Sequence, residues 1–166
     1  MPGSRFHKVR VSKDDLVFAS GHFITYDGGK CEPLHGHNYR MAVEVEDELN
    51  GDHYVFDFVA LHELARGLAA ELDHRMLLPA RSHLIRVAED GPNWDVRYGD
   101  RRWSFPRDEC VVLPLANTTA ELLADYFAGR LLLAFEARQL PRPRILRVEV
   151  EESFGQSAQM EWRRES

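Results

Sequence analysis

Cysteine is scarce in this chain: only Cys31 and Cys110 occur among 166 residues. Two thiols so far apart make no disulfide framework, and a reducing compartment is the simpler setting for them. Long apolar runs are missing as well. The longest candidate, around Leu131–Phe135, falls far below the roughly 18–20 residues that a membrane span needs. Met1 to Arg10 carry neither the apolar centre nor the small-residue cleavage site of a secretory signal. The expected location is therefore cytoplasmic, with no membrane partner. Positive charge is in deficit, since 21 Lys and Arg stand against 27 Asp and Glu, for a net charge of −6. That balance argues against nucleic acid as a general partner. It leaves room for an anionic small molecule, because a local patch can differ in sign from the whole surface. There is no internal repeat and no low-complexity segment, and the length suits one domain over 1–166.

What is present reads as an ordinary globular chain, 44% apolar and 29% charged. Phe6–Val11 alternates apolar and polar residues, Ser12–Asp15 is a polar turn, and Leu16–Phe23 resumes as a second strand. A loop with Asp27-Gly28-Gly29 and Pro33 follows. Asn38–Glu46 alternates again, with Tyr39, Met41, Val43 and Val45 on one face and Arg40, Glu44 and Glu46 on the other. Asp57 is placed to cap a helix whose apolar stripe is Phe58, Leu61, Leu64, Ala65, Leu68 and Leu72. Between Pro79 and Pro114, prolines, glycines and tryptophans punctuate short alternating pieces. That texture predicts an insertion over about 80–112, built as one β-hairpin or a pair. Thr118-Thr119-Ala120-Glu121 has capping-box spacing and opens a second helix that runs to about Arg138. Arg144–Ser153 and Ala158–Arg163 complete the pattern as strands. This order predicts an α+β fold, a four-stranded antiparallel sheet with two helices on one face. Two helices cover only one face, so the other predicts oligomerisation through the sheets.

The eight histidines matter by position. In Cys31-Glu32-Pro33-Leu34-His35-Gly36-His37, two imidazoles spaced i, i+2 at the start of a strand project to the same side. His22 ends the strand expected to lie antiparallel beside them, and it supplies a third nitrogen. Three nitrogens with an open fourth position are the donor set of a catalytic zinc ion. The rival metal reading is a closed site of Cys31 with the three histidines. Leu72-Asp73-His74 follows the first helix, where an Asp–His pair can hold a proton-transfer group in one tautomer. The plain alternative is a charged helix end with His74 on the C-terminal dipole. In Val148–Ser153, Glu152 falls on the apolar face of its strand, which is costly unless a ligand or partner pairs with it. A strand that ends there, with Glu152 in water, is the competing reading.

Taken in this order, the constellations resemble the 6-pyruvoyl-tetrahydropterin synthase family, which includes the bacterial 6-carboxy-tetrahydropterin synthases. The matching residues are His22, Cys31 with His35-Gly36-His37, Asp57-Phe58, Leu72-Asp73-His74, Thr119-Ala120-Glu121 and Glu152, and the likeness covers about 5–79 and 112–163. It implies the tunnelling fold, trimers whose sheets close into a barrel, a stacked homohexamer, and active sites at subunit interfaces. By position it implies zinc on His22, His35 and His37, a proton-transfer set of Cys31, Asp73 and His74, and a pterin anchored by Glu152 with backbone near Thr119. The implied substrate is 7,8-dihydroneopterin triphosphate, and the implied activity is a lyase forming 6-carboxy-tetrahydropterin, a precursor of queuosine. In this scheme Cys31 acts as a thiolate, its pKa lowered by the nearby cation. Formation of 6-pyruvoyl-tetrahydropterin or 6-hydroxymethyl-dihydropterin are the alternative activities. A pterin-binding zinc protein without turnover is the alternative class. Glu32 sits three residues before His35-Gly36-His37, where relatives that form the hydroxymethyl product carry a glutamate, so two candidate bases adjoin. The 80–112 insertion exceeds the connection usual in the family and follows Leu72-Asp73-His74 closely enough to reshape the site.

Overall fold

The computed structural model describes residues 4–165. The chain opens with β1 (His7–Val11), β2 (Val17–His22), the short strands β3 (Thr25–Tyr26) and β4 (Lys30–Cys31), and the long β5 (His35–Asp47). Helix α1 (Phe58–Leu72) and β6 (Arg75–Pro79) lead into β7 (Arg86–Asp90), β8 (Asn93–Tyr98) and β9 (Arg101–Pro106). Then come β10 (Cys110–Leu113), α2 (Ala120–Ala137), β11 (Ile145–Ser153) and β12 (Gln156–Arg163).

The fold is α+β, with two helices and mostly sheet. The main sheet has seven strands where four were expected, in the order β10-β6-β2-β5-β11-β12, with β1 also on β5. β5 is long enough to pair β2 along its first half and β1 along its second. All five alternating segments of the sequence, β1, β2, β5, β11 and β12, enter this one sheet, and the two strands without such a pattern are β6 and β10, which run parallel to their neighbours. Met76–Pro79 is an unbroken buried stretch, the pattern of a strand covered on both faces, and it carries no alternation to mark it as strand. The insertion proper is therefore the antiparallel three-stranded sheet β7-β8-β9, two hairpins turning at Gly91 and Gly99, both at positive φ.

Both helices pack on one face. Tyr39, Met41, Val43 and Val45 of β5, with Leu146, Val148 and Val150 of β11, form a core with Leu61, Leu68 and Leu72 of α1 and Leu123, Phe127 and Leu131 of α2. Each large side chain buried here contributes roughly 1.5–3 kcal/mol. Phe58, expected in the stripe, is 56% exposed and lines a cleft with Lys13 and His62. Asp57 caps α1 as expected, accepting from the Val59 and Ala60 amides. At α2 the cap is Thr119, accepting from Leu122, so the expected box between Thr118 and Glu121 does not form.

The opposite face of the sheet is charged. Arg147 reaches Glu44 at 2.7 Å and Glu46 at 3.0 Å, and Arg10 reaches Glu149 at 2.6 Å. Such a cross-strand ion-pair lattice can face water, so apolar exposure gives this face no need of a cover. Among the described residues, no helix is long and apolar enough to cross a membrane.

Candidate metal centre

Strand register builds the site. His22 lies directly opposite His35, Ser20 opposite His37, and Gly21 opposite Gly36. Alternation then puts His22, His35 and His37 on the helix-covered face, with the two glycines turned to the other. Gly36 has a local reason to be glycine: a Cβ there would sit 3.1 Å from the Ser20 carbonyl oxygen. The side-chain donor atoms of His22, His35, His37 and Glu152 all lie within 4.8 Å of one another. A register shift between Glu151 and Ser153 re-aims the chain at Glu152, whose carboxylate comes 3.1 Å from His37 Nε2.

The hydrogen bonds behind the rings show what this cluster fits. His22 Nδ1 lies 2.9 Å from the Thr118 carbonyl and His35 Nδ1 lies 2.8 Å from the Pro33 carbonyl, so in the neutral rings both Nδ1 atoms donate. Burial holds His22 below the usual imidazole pKa and so keeps it neutral. Both Nε2 atoms then carry lone pairs, yet they face each other at 3.2 Å. Two lone pairs hold that distance around a shared cation. Tetrahedral nitrogens bound at 2.0–2.1 Å stand about 3.3 Å apart. His37 Nε2 is buried without a hydrogen bond among the described residues, although a Glu152 carboxylate oxygen lies 3.1 Å away. Carbonyls behind ligand histidines are the usual outer support of a metal. The four residues thus fit a metal ion. Cys31 is not among them, so the rival closed site of Cys31 with three histidines does not assemble.

The loop beside the cluster carries both candidate bases, turned apart. It turns at Asp27 and Gly28, both at positive φ, with the Gly29 amide donating to Tyr26. Glu32 Oε2 accepts from the Ile24 amide at 3.2 Å and lies 3.8 Å from His35 Nε2. Cys31 packs instead against the second apolar cluster, with Phe23, Met76, Leu78, Ile85 and Val96. Burial raises its thiol pKa, Arg101 opposes that, and Glu32 adds to it, so these surroundings alone do not produce the expected thiolate.

Asp73 and His74 are not among the converging donors. The helix end turns there as expected, with His74 at φ 56°. Asp73 accepts from the Ala19 amide at 2.8 Å and pairs with His74 Nδ1 at 2.9 Å. The Ala19 amide, with His74, holds the Asp73 carboxyl below its ordinary pKa. The His74 side chain is 83% exposed and lines a cleft with Gly21, Gly36, His37 and Asn38.

A profile of the family described as 6-pyruvoyl tetrahydropterin synthase matches residues 10–163. The chain belongs to this family. It is similar to a putative 6-carboxy-5,6,7,8-tetrahydropterin synthase of Pyrococcus horikoshii, 36% identical over 115 residues, which is 69% of this chain and 68% of that one. It is also similar to a dihydroneopterin monophosphate aldolase of Pyrococcus furiosus, 46% identical over 60 residues, covering 36% of this chain and 50% of that one. Among solved structures, a Plasmodium vivax 6-pyruvoyltetrahydropterin synthase superposes with a TM-score of 0.87 at 28% identity. That match covers 96% of this chain and 99% of the other, which is described as a catalytic-residue variant with glutamate replaced by alanine.

Sequence reasoning missed several residues around this family site. Thr118, fully buried, orients His22 through its carbonyl. Asn117 exchanges hydrogen bonds with the Thr25 backbone and accepts from the Thr118 amide. The paired threonines held the only signal, one more than a cap requires. Tyr39 is buried with no partner for its hydroxyl among the described residues, and Arg101 of the insertion donates to the backbone of the base loop.

Proposed function

We propose that this chain is a single-domain, zinc-dependent lyase that acts on 7,8-dihydroneopterin triphosphate and forms 6-carboxy-tetrahydropterin. The observation that carries the reading is the convergence of three imidazoles and Glu152 beside a loop that holds two candidate bases. Membership of the tetrahydropterin synthase family and the likeness to the Pyrococcus horikoshii protein support it. Zinc bound by His22, His35 and His37 supplies Lewis acidity toward the side-chain oxygens of the substrate. Glu152 accepts two hydrogen bonds from the amino-pyrimidine edge of the pterin, aided by backbone near Thr119. Cys31 takes a proton from the substrate side chain. His74, held in one tautomer by Asp73, returns protons.

The exposure of His74, with its cleft open to solvent, supports a site completed between subunits, in a trimer or hexamer. The free edges of β10 and β12 are where sheets of neighbouring subunits join.

A second reading has its own support. Glu32, not Cys31, faces the cluster, 3.8 Å from His35. The aldolase relative and the catalytic glutamate of the Plasmodium protein point the same way. In that reading Glu32 is the base for carbon–carbon cleavage of the side chain to 6-hydroxymethyl-dihydropterin.

Chromatography of the pterins formed from 7,8-dihydroneopterin triphosphate tests both. The carboxy product should vanish in Cys31→Ala with zinc retained, and any hydroxymethyl product should vanish in Glu32→Ala. Undiminished yield of every product in Cys31→Ala sinks thiolate catalysis.

A further inference from the structure

The β7-β8-β9 insertion touches the base loop at several points. Arg101 Nη2 donates to the Cys31 carbonyl at 2.8 Å, and Nη1 donates to the Glu32 carbonyl at 3.2 Å. Its guanidinium lies over two aromatic rings, 5.1 Å from the centroid of Tyr98 and 5.7 Å from that of Trp103. Among the described residues no carboxylate lies within ion-pair distance of it, so its charge is directed at the two carbonyls. The Tyr98 hydroxyl donates to the Gly29 carbonyl, a third tether to the same loop. Trp103 stacks on Phe23 at 4.5 Å, one residue after His22. From within the loop and its neighbour come the short β3-β4 ladder, which pairs Thr25 with Cys31 and Tyr26 with Lys30, the Lys30–Asp27 ion pair, the Asn117 bonds to Thr25, and the two bonds between Glu32 and Ile24. Besides its bond to Cys31, the insertion adds contacts that this ladder does not reach, on the Glu32 and Gly29 carbonyls.

We infer that the inserted sheet is a clamp, and that Arg101 is a positioning residue that holds the Glu32 carboxylate at the histidine cluster and the Cys31 side chain against the insertion. A planar fork that meets two successive carbonyls fixes the direction of the chain between them. Successive side chains of an extended segment diverge, so fixing those carbonyls also fixes which side chain faces the cluster. The 3.8 Å approach of Glu32 to His35 and the packing of Cys31 against the second apolar cluster are the two halves of one orientation. As regards products, the inference rests on the proposed function. Arg101 then sets the partition between the Glu32-dependent and the Cys31-dependent product. A lysine offers one point of charge and cannot span both carbonyls.

The test uses the full-length protein with Arg101→Ala and Arg101→Lys, read in two ways. Hydrogen exchange on the metal-free protein should rise on the order of tenfold in residues 24–34 of Arg101→Ala. Exchange in β6 and β10 should stay unchanged. Exchange that is unchanged, or that rises uniformly across the chain, overturns the clamp. In the zinc-loaded protein, the ratio of Glu32-dependent to Cys31-dependent product should fall on the order of tenfold in Arg101→Ala, because small misplacements of a base carry large rate penalties. Arg101→Lys should fall between. A parallel loss of both products alongside lowered Tm overturns the positioning role and leaves Arg101 merely structural. Should the wild type convert no pterin, the functional reading fails, and hydrogen exchange alone decides the clamp.

Discussion

Gly36→Ala links strand packing to the metal centre. The new Cβ would meet the Ser20 carbonyl oxygen at 3.1 Å, with the Ser20 carbonyl carbon and Gly21 Cα at 3.7 Å. All three atoms are backbone of β2, which is held between β5 and β6 and cannot swing aside as a flexible side chain would. Relief needs about 0.3 Å of separation between the strands, an overpacking strain of about 1–2 kcal/mol. For a chain of this size each kcal/mol lowers Tm by roughly 2–4 °C. The displaced segment leads directly to His22, whose Nε2 must stay 3.2 Å from that of His35. Zinc affinity should therefore fall on the order of tenfold or more, as when a ligand's support is disturbed. Thermal melts and a zinc competition titration measure the two effects. Gly67→Ala is the control, since its Cβ meets nothing within 4 Å and it sits inside α1. Alanine there should stabilise by up to about 1 kcal/mol with zinc binding intact. If Gly36→Ala melts with the wild type and binds zinc equally well, the strand spacing does not set the site.

Arg147→Ala should lower stability by about 2 kcal/mol in urea titration, because Arg147 is 12% exposed and its loss leaves Glu44, Glu46 and Glu161 facing one another. Added salt should recover part of the loss, and an unchanged midpoint would contradict the ion-pair account. Glu152→Ala should weaken pterin binding at least tenfold while most zinc is kept, and unchanged pterin affinity removes its anchoring role. The metal-free protein should lose stability as pH falls below about 6.5, the unfolded imidazole value, down through the lower folded pKa of His22. The sign follows because the folded state binds that proton less readily than the unfolded one. His22→Asn should flatten this slope, and an unaltered slope would show that burial of neutral His22 is not its source.

The convergence of His22, His35 and His37 was legible because it depends on local geometry alone. An i, i+2 histidine pair and a strand-ending histidine need only register to converge, and register follows from the alternation of Tyr39, Met41, Val43 and Val45. The seven-stranded sheet was not legible, because Met76-Leu77-Leu78 and Val111-Val112-Leu113 lack the period that marks a half-exposed strand. The cap of α2 was misplaced by one residue because two adjacent threonines can each cap, and burial of Thr118 against His22 decides between them. Opposite orientations of Cys31 and Glu32 depend on Arg101, some seventy residues away. No pattern near either base announces that contact.

Zinc content and turnover measured together on wild type and His35→Ala test the account most directly. About one zinc per wild-type chain is expected, with loss of most zinc and of pterin conversion in the variant. A His35→Ala protein that keeps full zinc and full activity would contradict the assignment of the three histidines as the metal centre.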